Sequence, residues 1–244
     1  MDLMLKSGGL RYVAPIRKQH CLELMIGLQV INNTFRPLVK KDEELPKDLV
    51  PKLLHRFWSS EGYTLFPDVQ PLLQTLRDHY KTTGGRLVVG VISNSDPRVP
   101  DVLSSLGMRV SPLRYTPDKQ YPGFNPSESH DVDFTVMSYD VGHEKPDRRM
   151  FEAADDMLDV FLRAHGEPKV NPEEWRKVYV GDEHEKDVVG ATSAGWNAVL
   201  IDRETAGTMD ATAPGTFGSL FETSMSVSFS SLAKLAAWLP TPKL

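Results

Sequence analysis

The stretch Val178–Ile201, VYVGDEHEKDVVGATSAGWNAVLI, decides how this chain folds. Val178–Val180 is a short β-prone run that reads as a strand, and Gly181-Asp182 closes it. Glu185–Ala194 reads as a short helix, Gly195 turns the chain, and Ala198–Ile201 reads as a second strand. A helical crossover of this kind is the connection that neighbouring parallel strands require.

Working outward, the alternation continues upstream. Leu87–Ile92 (LVVGVI) is apolar without a break, the pattern of a strand buried on both faces. Val132–Met137 is a weaker strand. The apolar positions of Asp68–Tyr80 are Val69, Leu72, Leu73, Leu76 and Tyr80, a helical spacing with Asp68 placed to cap. In Asp147–His165 they are Met150, Phe151, Ala154, Met157, Leu158, Phe161 and Leu162, and Gly166 is a natural stop. Ser231–Leu239 reads as a last helix. Ser111–His130, with four prolines, and Glu204–Ser228, rich in Thr, Gly, Ser and Ala, read as loops. Alternating strands and helices predict an α/β, doubly wound parallel sheet covered on both faces. Before Asp68 the pattern differs. Cys21–Phe35 and Asp48–Trp58 look helical and no clear strand divides them, so residues 1–65 are expected to form an N-terminal helical element and 66–244 the α/β core.

The 244 residues are 40% hydrophobic and 25% charged, which argues against a disordered chain. A net charge of −5 argues against a general binder of nucleic acid or anionic membranes. The single cysteine, Cys21, permits neither an intrachain disulfide nor a cysteine-based zinc site. No run approaches a membrane span, and MDLMLKSGG lacks an apolar signal core. The expectation is a soluble, intracellular, cytoplasmic protein whose oligomeric state the sequence does not give.

In open α/β sheets ligands bind beyond the carboxyl ends of the strands, so the residues following each strand are the candidates. Ser93 and Asn94 follow Leu87–Ile92 and offer a hydroxyl and an amide for phosphate oxygens; a capped turn is the plain alternative. Lys145 precedes a helix start, where its ammonium can neutralise an anion; a solvated loop lysine is the alternative. Asp182 ends one strand and Asp187 opens the next helix, a spacing that lets two carboxylates face a hard cation such as Mg²⁺. His184 reads as an exposed loop histidine, Cys21 as a packed helix residue, Phe57 and Trp58 with Leu53 and Leu54 as core, and Lys40–Glu44 as a solvated face.

Taken together, strand-Ser93-Asn94, then Lys145-Pro146-Asp147, then strand-Gly181-Asp182…Asp187 resemble the haloacid dehalogenase superfamily of hydrolases, mostly phosphatases, over about Val30 to Arg203. FPDV at Phe66–Val69, KPDRRMF at Lys145–Phe151 and VGDEHEKDVVGATSAGW at Val180–Trp196 carry the likeness. Within the superfamily they point to the group around haloacid-dehalogenase-like hydrolase domain-containing protein 3. The resemblance implies a Rossmann-like core with a helical cap and a Mg²⁺-dependent phosphatase acting on a small phosphorylated metabolite. It implies that Ser93 holds the phosphoryl group with Asn94 supporting the turn, and that Lys145 neutralises the phosphoryl oxygens and the attacking carboxylate. Asp182 would ligate Mg²⁺, and Asp187 would complete the acidic site through water or Lys145. The Asp182/Asp187 pair favours the phosphatase branch over the metal-free dehalogenases.

The family's reaction begins with an aspartate in Asp-x-Asp-x-Thr after an N-terminal strand and passes through an aspartyl-phosphate. Upstream of Ser93 the aspartates are Asp2, Asp42, Asp48, Asp68 and Asp78; none follows an apolar strand and none has an Asp two residues later. Asp131-Val132-Asp133-Phe134-Thr135 has the literal pattern, but it lies at the start of a strand, the end opposite the site. From about Gln29 the chain reads as the family's cap entered partway. The favoured expectation is a chain cut short of its nucleophile strand, with two facing strand edges left without partners. Gly9–Ala14 (GLRYVA) is the one N-terminal piece able to fill the gap. The alternative, from a different class, is a non-catalytic protein that keeps Ser93, Lys145 and Asp182 for binding phosphate or metal. A metal-free dehalogenase is a third possibility.

Overall fold

The structure, a computed structural model, describes residues 18–40, 42–166, 175–205 and 217–238. Gly9–Ala14 and part of the Glu204–Ser228 loop lie outside the described residues, as do the side-chain surroundings of Cys21. The chain divides into two compact units, Met1–Phe57 and Trp58–Leu244, where the sequence reading divides it after residue 65. In the first, α1 (Lys18–Phe35) and α2 (Leu49–Phe57) are helices that pack on each other. Gly27 lets them approach: a Cβ there would lie 2.9 Å from Leu54 Cδ2. Ile31 and Val50 are buried, whereas Phe57, expected in the core, is 47% exposed. Among the described residues no helix is long and apolar enough to cross a membrane.

The second unit runs α3 (Val69–Thr83), β1 (Gly90–Ser93), α4 (Arg98–Ser105), β2 (Phe134–Met137), α5 (Ser138–Val141), α6 (Arg149–Ala164), β3 (Val178–Gly181), a π-helical turn (His184–Val189), α7 (Gly190–Ser193), β4 (Asn197–Ile201), α8 (Phe217–Leu220), β5 (Ser226–Phe229) and α9 (Leu232–Trp238). Among the described residues every strand pair is parallel, as the βαβ reading requires. They form two groups, β1-β2 and β3-β4-β5. Val91 pairs with Thr135 in the first, and Val180 pairs with Val199 and Val199 with Val227 in the second. Among the described residues β1 and β3 each keep one edge without a strand partner. The Tyr179 side chain crosses between them: its hydroxyl donates to the Ile92 carbonyl at 3.0 Å.

Four expectations need correction. Leu87–Ile92 is not buried on both faces: the paired strand begins at Gly90, and only Ile92 within the run is buried. Double burial needs neighbours on both sides, and β1 has one. Val132–Met137, read as weak, is the best buried strand; Val136 and Met137 have no exposure, because β1 covers one edge and parallel bridges at Val110 and Arg114 the other. Those bridges also draw part of the Ser111–His130 loop inward, and Leu113 is fully buried. Ser226–Phe229 is a strand although it lies at the end of the Glu204–Ser228 loop; alternating Ser-Val-Ser-Phe buries Phe229 while its main chain pairs with β4. Asp68 makes no cap hydrogen bond to α3. It instead accepts two hydrogen bonds from Arg203 at 2.9 and 3.0 Å, and one from the Leu232 main chain. The guanidinium holds its carboxyl below the usual range.

The apolar stripe of α6 supplies the core on one side of the sheet: Met150, Phe151, Ala154, Met157, Leu158, Phe161 and Leu162 are all buried. Phe151 meets Tyr179 and Trp196 edge-on, with centroids 5.3 and 5.7 Å away. The helix stops at Gly166, whose φ of +76° suits glycine.

Candidate active site

The carboxyl ends of β1 and β3 are joined by one network centred on Lys145. Its main-chain N–H donates to Asn94 Oδ1 at 2.7 Å, and Asn94 Nδ2 donates back to the Lys145 carbonyl at 3.0 Å. The ammonium donates to Asp187 Oδ1 at 2.6 Å and to the Tyr179 hydroxyl oxygen at 2.7 Å. Asp187 Oδ2 accepts the main-chain N–H groups of Asp182 and Glu183 at 3.0 and 2.9 Å. Both charged side chains are nearly closed to solvent, 10% exposed for Lys145 and 5% for Asp187. Such a pair needs further partners to hold; the two N–H groups satisfy the carboxylate, and the phenol takes a second of the ammonium's three donors. Burial, and then the Asp187 charge, push the Tyr179 phenol well above its ordinary range, so it stays a donor to Ile92.

Local backbone explains why Asp187 turns inward. It sits inside the π-helical turn His184–Val189 rather than opening an α-helix, and its N–H donates to the Glu183 carbonyl at 2.8 Å. Its carboxylate folds over the end of β3. A Cβ on residue 181 would lie 2.2 Å from Asp187 Oδ2, so only glycine fits at Gly181.

The structure therefore brings Asn94, Lys145 and Asp187 into contact. Ser93 closes β1 opposite Met137, half-buried, and Asp182 follows β3 with an exposed side chain; Asp182 joins the network through its main chain. As a metal site the described residues are incomplete. They contain no group of three or more His, Cys, Asp or Glu able to hold an ion. Asp187 gives its oxygens to Lys145 and to two N–H groups, so it is a partner of the lysine, and Asp182 is the carboxylate left facing outward. His184 is exposed.

The literal Asp-x-Asp-x-Thr does other work. Asp131 pairs with Arg109, Nη2 to Oδ1 at 2.8 Å, and Asp133 is buried and accepts the Val89 N–H at 2.8 Å. Both precede β2, at the end remote from Lys145. Of the upstream aspartates, Asp48 pairs with Lys52, Asp68 with Arg203, and Asp78 accepts from Gln74; Asp2 lies outside the described residues. Tyr179 was not among the sequence candidates. Its one signal was a hydroxyl-bearing aromatic between two valines on a strand that ends in the acidic loop.

A lysine and acidic groups gather where the parallel strands of this α/β protein end, the edge at which open sheets of this kind bind ligands. A family model described as HAD-hydrolase-like matches residues 143–217, the segment that carries Lys145, Asp182 and Asp187. The chain is 28% identical over 177 residues to the uncharacterized protein YMR130W of Saccharomyces cerevisiae, covering 71% of this chain and 49% of that one. It is 23% identical over 174 residues to haloacid dehalogenase-like hydrolase domain-containing protein 3 of Bos taurus, covering 71% and 54%. Over 75 residues it is 41% identical to the glyceraldehyde 3-phosphate phosphatase of Methanothermobacter thermautotrophicus, covering 31% and 28%. The chain thus spans about half the length of the first two relatives. These matches make the chain similar to haloacid dehalogenase-like hydrolases, most directly over residues 143–217.

Proposed function

We propose that the second unit is the phosphoryl-binding half of a phosphomonoester phosphatase acting on a small phosphorylated metabolite. The observation that carries this reading is the fixed ammonium of Lys145. Asn94 locks its main chain on both sides, while Asp187 and Tyr179 hold two of its three N–H donors, leaving one for a phosphoryl oxygen. Ser93, at the end of β1, supplies a hydroxyl to the same group, and Asn94 keeps the turn in place. Charge on the transferring phosphoryl group is thereby met by donors positioned before the substrate arrives. Mg²⁺ is the expected cofactor and would add charge neutralisation when bound; this chain offers Asp182 to it. The attacking carboxylate would come from a strand lying between β1 and β3. The matched phosphatase supports the choice of phosphate chemistry over dehalogenation.

A second reading is favoured by one observation. Among the described residues no aspartate with a free carboxylate stands at a strand end in the Asp-x-Asp-x-Thr pattern. On that reading the chain binds phosphate or metal and turns nothing over. Calorimetry with inorganic phosphate, with and without Mg²⁺, tests the site, and phosphate release from a panel of small phosphomonoesters separates the two readings. Phosphate binding measurably weakened in Lys145→Met supports the site; no phosphate binding by the native chain overturns both. Turnover that Asp182→Ala abolishes establishes the enzyme, and binding without turnover leaves the binding protein.

A further inference from the structure

We infer that Tyr179 is a positioning residue for Lys145, a role that rests on reading this site as a phosphate site. An ammonium on four methylenes is mobile, and two fixed acceptors remove that freedom. Asp187 is one. The Tyr179 oxygen is the other, and it is itself fixed: its proton goes to the Ile92 carbonyl at 3.0 Å, so its lone pair is presented to the lysine at 2.7 Å. The ring is held from behind by the edge contact with Phe151, and the ammonium lies 5.0 Å from the ring centroid. With two tetrahedral N–H directions anchored, the third is set. The same phenol ties β1 to β3, so the position of the lysine is coupled to the spacing of the two strand groups whose ends carry Ser93 and Asp182. Phenylalanine at 179 would keep the ring packing and lose both hydrogen bonds.

The test uses the full chain, labelled with ¹⁵N. The Lys145 ammonium resonance, assigned by its loss in Lys145→Met, is expected to be resolved and slow to exchange in the native protein and broadened away in Tyr179→Phe, with the amide spectrum otherwise retained. Calorimetry with inorganic phosphate is expected to show roughly tenfold weaker binding for Tyr179→Phe, the scale of one hydrogen bond to a charged group. The double variant is expected to bind no more weakly than Lys145→Met alone, because Tyr179 acts through the lysine. A Lys145 resonance unchanged in Tyr179→Phe, or additive losses in the double variant, would overturn the inference. If the native chain binds no phosphate, the phosphate reading fails while the resonance still decides the role of Tyr179. Should Tyr179→Phe not fold, Tyr179→Met carries the same readouts.

Discussion

The two ends of the sheet each bury an aspartate that accepts main-chain N–H groups, yet they do different things. Asp187, beyond the carboxyl end of β3, takes two N–H groups and an ammonium. Asp133, just before β2, takes the Val89 N–H, and its own N–H donates to the Val89 carbonyl at 2.7 Å. The lower carboxylate extends the β1-β2 ladder to a position where the paired strand has not yet begun. The upper one anchors a cation. Burial alone therefore does not mark a site; the difference lies in which charge the carboxylate is made to hold.

The sharpest way to break that contrast is to remove the upper anchor. Asp187→Ala leaves the Lys145 ammonium nearly buried without its counter-charge, and losing one partner of such a pair costs about 3–5 kcal/mol. Urea unfolding should show that loss, together with loss of phosphate binding. A cost within about 0.5 kcal/mol, the level of an ordinary surface substitution, would mean that the ion pair does not organise this end.

The next effect tests geometry rather than charge. Gly181→Ala places a Cβ 2.6 Å from the Asp187 Cβ and closer still to its carboxylate. Overpacking of this kind costs about 1–3 kcal/mol. Calorimetry should show phosphate affinity falling along with stability, because the carboxylate must leave the end of β3. Stability lost with phosphate binding intact would show that Lys145 does not depend on Asp187 for its position.

How much of this was readable beforehand follows the range of each interaction. Ser93, Asn94, Lys145, Asp182 and Asp187 could be picked out because a parallel strand order turns sequence position into proximity: whatever follows each strand gathers at one edge. Asp187 as a partner of Lys145 was also within reach, its inward turn less so, since that depends on the π-helical turn. Three features were out of reach for one physical reason, that their partners are remote in sequence. Tyr179 meets Ile92 across the open edges of two strand groups. Asp68 looks like a helix cap until Arg203 arrives from the end of β4. Leu87–Ile92 looks doubly buried only if both neighbours are assumed. β5 was missed on composition, since serines at its outward positions hide a strand whose inward Phe229 is fully buried.

The smallest effects separate the two aspartates of the literal motif and sharpen the comparison within one end. The Arg109 guanidinium holds the Asp131 carboxyl below its ordinary value, whereas burial pushes Asp133 above it. The two should therefore respond to pH with opposite signs. For a lowered value, stability is present above the unfolded value of about 3.9 and is lost as pH falls through the folded one. Asp131→Asn should then cost about 0.2–1 kcal/mol near neutrality, reduced by the exposure of Arg109, and nothing in acid. For a raised value, stability is full below the unfolded value and is lost as pH rises through the folded one. Asp133→Asn keeps an acceptor for the Val89 N–H and sheds that loss, so its stability relative to the native chain should improve as pH rises from about 4. Urea midpoints for both variants across that range give two slopes. Slopes of opposite sign place both residues in the fold's own electrostatics, the structural role that their position before β2 assigns them. Slopes of the same sign would mean that Asp133 is held by a cation after all, and the distinction between the two ends of the sheet would lose its basis.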